Sequence, residues 1–105
     1  MLKIIEGRRY NTETATEVAE YSNYLGAGDF HNLTETLYKT PKGAWFIHGK
    51  GGPQTAWAHY VGSGNGRTGG EGMRVLSDEE AMKWLERHNM AGELEEHFAD
   101  KIEDA

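Results

Sequence analysis

Five histidines are the side chains in this 105-residue chain best able to move a proton or hold a metal near neutral pH. His31, His48, His59, His88 and His97 include no His-x-x-x-His pair, and Leu85 and Leu94 stand three positions before the two helical histidines, where an acid would be wanted. With no third ligand indicated, structural or solvent-facing roles are the plainer reading. His48 and His59 flank the Gly51-Gly52 pair and are the two with a chance of meeting in space. The absence of cysteine excludes disulfides, thiolate zinc sites and cysteine nucleophiles. Ser63, within Gly62-Ser63-Gly64, lacks a nucleophile-elbow context, and Ser77 reads as a helix cap. No catalytic residue, metal ligand or cofactor is therefore assigned.

Residues 62–72 hold six glycines in eleven positions, which invites an anion-cradle reading because backbone amides approach a phosphate closely where no Cβ intrudes. The segment lacks the Gly-Lys-Ser/Thr ending of a P-loop and precedes a strand instead of opening a helix. A flexible connector or partner-contact loop carrying Arg67 is the expectation. A small nucleotide-binding protein or enzyme using this loop with Arg67 and His59 remains an alternative. Arg8-Arg9 and the Lys39 and Lys42 pair are small basic spots able to touch phosphate, though such pairs are usually solvated surface. Trp45, Trp57 and Trp84 are expected to build the core, and an exposed Trp, for which Trp57 is the candidate, would anchor an interface.

Charge is the more informative chemistry. The net charge of -6 is unevenly placed: residues 77–105 hold ten acids against three bases, giving -7, while residues 1–76 hold seven acids and eight bases, giving +1. Glu79, Glu86, Glu93, Glu95, Glu96 and Asp100 are the candidate partner-binding carboxylates. Phosphates would be repelled there, which argues against direct DNA binding by this segment and suits a basic protein surface. A solubilising face is the bland alternative. The clustering favours binding, since a dense carboxylate array imitates the field of a nucleic-acid backbone.

The elements that must position these groups can be read in outline. Leu2 to Tyr10 reads as two short strands about a Glu6-Gly7 turn. Asn11 or Thr12 caps an expected helix to Tyr21, with Ala15, Val18 and Ala19 on one face, although Thr12, Thr14 and Thr16 alternate as a strand would. Residues 35–40 and 44–49, separated by Pro41-Lys42-Gly43, form a β-hairpin with Leu37, Trp45 and Ile47 on one face and Tyr38, Phe46 and His48 on the other. Residues 54–61 suit a strand or one to two helical turns. Met73 to Leu76 suits a short strand. Ser77-Asp78-Glu79-Glu80 is a capping box opening a helix to about His88, where Asn89 ends it. A last helix from Ala91 to about Ile102 places Leu94, Phe98 and Ile102 together.

The length fits one domain, with a near-neutral α+β body over 1–76 and an acidic helical segment over 77–105. The predicted architecture is α+β: a small antiparallel sheet built on a central hairpin at about 35–49, an N-terminal helix and two C-terminal helices. The early charges after Met1 do not suit a signal peptide, and no apolar run approaches bilayer length, so the cytoplasm of a bacterial host cell is the expected location.

Glu6-Gly7-Arg8-Arg9-Tyr10-Asn11-Thr12-Glu13-Thr14-Ala15-Thr16, Glu35-Thr36-Leu37-Tyr38-Lys39-Thr40, Gly43-Ala44-Trp45-Phe46-Ile47-His48-Gly49 and Leu76-Ser77-Asp78-Glu79-Glu80-Ala81 resemble a family of small uncharacterised proteins of bacteria, phages and mobile elements, over about residues 3–88. Size, acidity and that mobile-element character together imply an anti-CRISPR protein of the type II-A class, which inhibits Cas9. The implied partner is Cas9 or another CRISPR effector with its guide RNA. An adaptor or antitoxin-like binding protein is the rival reading. The resemblance carries no catalytic residue.

Overall fold

The computed structural model describes residues 1–26, 28–61 and 66–105. Among these residues eight strands precede two helices: β1 (Leu2–Ile5), β2 (Arg8–Asn11), β3 (Thr16–Ser22), β4 (Leu33–Lys39), β5 (Trp45–Gly51), β6 (His59–Val61), β7 (Gly66–Thr68), β8 (Gly70–Leu76), α1 (Asp78–Arg87) and α2 (Ala91–Phe98), with a 3-10 turn over Ala99–Lys101. The main antiparallel sheet has the order β3-β4-β5-β8, and β1-β2 and β6-β7 form separate hairpins. The α+β class, the antiparallel sheet and the two C-terminal helices are as expected. Among the described residues, no helix is long and apolar enough to cross a membrane.

The expected N-terminal helix is corrected. The chain begins with β1, and the segment predicted as helical ends in β3, an edge strand paired with β4. A register shift between Glu17 and Ala19 explains the misreading. The bulge breaks strict alternation, so Val18 and Ala19 are both half-buried and imitate the spacing of a helical face. Asn11 does cap a turn, but only one: its Oδ1 accepts from the Glu13 amide at 2.9 Å before the chain extends.

The central hairpin forms as its turn chemistry dictates. Gly43 takes φ 87, its amide donates to Thr40 O at 2.9 Å, and Thr40 Oγ1 accepts from the Ala44 amide at 3.0 Å. Leu37 faces Ile47, and Tyr38 faces Phe46, which reproduces the two expected faces. One face carries Leu37, Trp45, Ile47 and Leu76 under α1 and α2, where Ala81, Trp84, Leu85 and Phe98 complete the core. On the other, Phe46 stacks with Tyr38 (ring centroids 5.1 Å apart) and takes the Tyr10 ring edge-on at 5.7 Å, which seats β2 against the sheet.

Helix α1 has both bonds of the capping box: Ser77 Oγ accepts from the Glu80 amide at 3.1 Å, and the Ser77 amide donates to Glu80 Oε1 at 2.9 Å. These bonds hold the exposed Glu80 carboxyl below its ordinary pKa. Asn89, at φ 58, ends the helix with its amide on Glu86 O and the Met90 amide on Leu85 O. The last helix is shorter than expected. It leaves α geometry at Phe98 (φ -134), whose ring is held against Trp45, and Ile102 is exposed instead of sharing that face.

Candidate interaction surfaces

Glu35 lies on the same sheet face as Leu37 and is only 8% exposed. A carboxylate in such a place needs donors. Trp57 Nε1 donates to its Oε2 at 2.8 Å and Trp84 Nε1 to its Oε1 at 2.9 Å, so one side chain ties the β5–β6 connection and α1 to the sheet. Space for the Trp57 ring comes from glycine. A Cβ on Gly49 would overlap the indole, and one on Gly72 would come within 3.3 Å of it.

His88 completes this interior cluster, stacked on Tyr21 at 4.0 Å and edge-on to Trp84 at 4.7 Å. Its Nε2 is enclosed with no hydrogen-bond partner among the described residues. Burial holds the imidazole below its ordinary pKa of 6.5; the Glu35 carboxylate opposes that shift and Arg87 reinforces it. Each oxygen of Glu35 takes one indole N–H, so the carboxylate's two bonds are to groups that position the elements.

Trp57, expected as an interface anchor, is therefore a core residue at 9% exposure. Arg67 is exposed on β7, with Nη2 donating to Thr55 O at 3.2 Å. The glycine run is corrected in part. Residues 62–65 lie outside the described residues, and 66–68 and 70–72 belong to β7 and β8 in place of a flexible connector. Nor do His48 and His59 meet. His48 bonds Glu71 at 2.9 Å on the sheet face it shares with Phe46, while His59 packs over Gly70 on the face that carries Trp57.

The predicted acidic residues fall into two groups. Glu79 and Glu86 lie on α1, where cations interrupt them: Glu79 pairs with Lys83 at 3.6 Å, and Arg74, Lys83 and Arg87 line a cleft beside Trp84. Glu93, Glu95 and Glu96 on α2 and Asp100 in the following turn form the denser group. All but the half-buried Glu93 are exposed, and Glu96 comes within 3.9 Å of His97 Nε2. Trp45 anchors this end, stacked on Phe98 at 5.2 Å and edge-on to His97 at 5.5 Å.

Comparison with protein-family models, curated proteins and solved structures gives no match. The surfaces themselves must carry the functional reading.

One surface went unnoticed in the sequence. The β3–β4 connection displays Tyr24 at 91%, Leu25 at 45% and Phe30 at 63% exposure. Its backbone is held by side chains: Asn23 Oδ1 accepts from the Leu25 and Leu33 amides at 3.2 and 3.1 Å, Asn23 Nδ2 donates to His31 O at 2.6 Å, and Asp29 Oδ1 accepts from the His31 amide at 2.8 Å. Asn23 and Asp29, each able to bond backbone two residues on, are the signal that could have marked the turns at either end of this connection.

Proposed function

We propose that this chain is a non-catalytic binding protein that engages a basic surface through its C-terminal carboxylates, as an anti-CRISPR protein that occupies a Cas9-type effector. The observation that carries the reading is the anchorage of the acidic end. Phe98, 4% exposed, is stacked on Trp45, so Glu93, Glu95 and Glu96 on α2 and Asp100 in the turn after it belong to a segment already fixed to the core. A pre-ordered array loses less conformational freedom on binding. Cas9-type effectors hold nucleic acid in positively charged channels, which such an array fits. Glu79 and Glu86, interleaved with cations, flank the contact.

The test is co-purification with a Cas9–guide RNA complex followed by a DNA-binding assay. Replacing Glu93, Glu95, Glu96 and Asp100 with lysine should abolish the complex and the inhibition while thermal melting stays close to wild type. Inhibition that survives the four replacements sinks the acidic-surface mechanism.

A second reading, an adaptor or antitoxin-like protein, draws support from Tyr24 and Phe30. Exposed aromatic side chains are what hot spots are made of. In that case the partner is lost on replacing Tyr24 and Phe30 and kept after the charge reversal.

A further inference from the structure

Two basic features distant in sequence, Arg8-Arg9 and Lys42, converge in the fold. They line one cleft of about 490 Å³ between the β1–β2 hairpin and the Thr40–Gly43 turn, together with Ile4, Tyr10 and Pro41. No carboxylate lines it. Among the described residues, none of the three cations has an ion-pair partner. That is notable in a chain whose 17 acids outnumber 11 bases, since unspent cations gathered in a concavity raise the local concentration of anions.

We propose that this cleft binds the phosphate backbone of a single-stranded nucleic acid. The guanidinium groups of Arg8 and Arg9 and the Lys42 ammonium take phosphates, and Ile4, 65% exposed, offers with Pro41 an apolar wall for a base. A cleft of this size admits one small-molecule-sized unit at a time. A flexible strand presents such a unit, whereas a duplex keeps its bases stacked inside. On the other side of the turn a groove is lined by Lys39 and Lys101 with Asp78 and Asp100, so its charges balance, and the cleft at the hairpin is the one of the two with cations and no carboxylate. The cleft is separate from the acidic contact surface, and its occupancy is measured without any effector.

The experiment is fluorescence anisotropy of a short labelled oligothymidylate titrated with the full chain at low salt, beside a duplex of the same length. Saturable binding is expected, weakening with salt at a log–log slope of about -2 for three phosphate contacts. Each of Arg8→Gln, Arg9→Gln and Lys42→Gln should reduce that slope by about 0.7. The triple variant should lose binding, and Lys50→Gln, outside the cleft, should keep it. Thermal melting checks that each variant folds; if the triple variant melts early, the three single variants decide. Absence of binding at low salt, unchanged slopes in the single variants, or a duplex bound as tightly as the single strand would overturn the proposal.

Discussion

Trp84 and Glu35, 49 positions apart in the chain, share a buried hydrogen bond of 2.9 Å, and the second oxygen of the same carboxylate takes the Trp57 indole. Glu35→Ala leaves two indole N–H groups without an acceptor. At ~1–3 kcal/mol for each buried unpaired donor, the variant should lose about 2–6 kcal/mol. Glu35→Gln keeps one acceptor oxygen and should lose roughly half as much. Urea unfolding followed by tryptophan fluorescence measures both; equal losses would show that charge, not the second acceptor, matters.

Gly49 is fixed by the neighbour it admits. Gly49→Ala puts a methyl group where the Trp57 indole lies, so the ring must leave the sheet. A cost of about 3 kcal/mol or more, with Trp57 emission shifted to the red, is expected. Gly72→Ala, whose Cβ would sit 3.3 Å from the ring, should be milder. A reversed order would mean that Trp57 does not rest on Gly49.

His88 gives the stability a pH dependence of known sign. Burial lowers its pKa in the folded chain below the 6.5 of the unfolded one, so the unfolded chain binds the proton more readily. The contribution is whole above pH 6.5 and is lost as pH falls from there through the folded-state pKa. His88→Phe, which can keep a ring on Tyr21, should flatten that part of the acid limb. Urea midpoints on either side of pH 6.5 report it, and identical slopes in the two proteins would refute it.

Removing the Ser77 hydroxyl tests the cap that starts α1. Ser77→Ala should cost ~1 kcal/mol, as at other helix N-termini. Thermal or urea unfolding is sufficient, and a change below ~0.3 kcal/mol would mean that the Glu80 amide finds another acceptor.

Tyr24→Ala and Phe30→Ala should change stability by less than about 0.5 kcal/mol, because both side chains are already in solvent. A larger loss would show that these rings pack in the folded protein after all, and would remove the support they give to the adaptor reading.

Local signals were legible in the sequence, and long-range ones were not. Pro41-Lys42-Gly43 and Ser77 with Glu80 act within a few residues, and both formed as expected. The β3 segment reads as a helix because its bulge replaces alternation with a helix-like spacing. The glycine run reads in sequence as a flexible connector or an anion cradle, although Gly70 and Gly72 are small because His59 and Trp57 lie over them. One clue stood in plain view: Glu35 is two positions before Leu37, so alternation already placed an acid on the core face. Its two indole partners, contributed by distant segments, could not be inferred that way. The acidic residues were legible in number, but the cations that dilute the α1 group and the Trp45 anchorage of α2 needed the fold.

The β3 edge of the sheet bears on how much of this protein a cell can hold. Among the described residues strand β3 is paired on one side only, as is β8 at the opposite edge, and β3 carries the bulge and the exposed Glu17 and Glu20. An added strand would have to match a broken register and approach two negative charges. On the proposed function the chain acts by stoichiometry and not by turnover, so it must accumulate to the level of its target. An edge of this kind resists pairing with its own copies, so aggregation through β3 does not set the ceiling on that level.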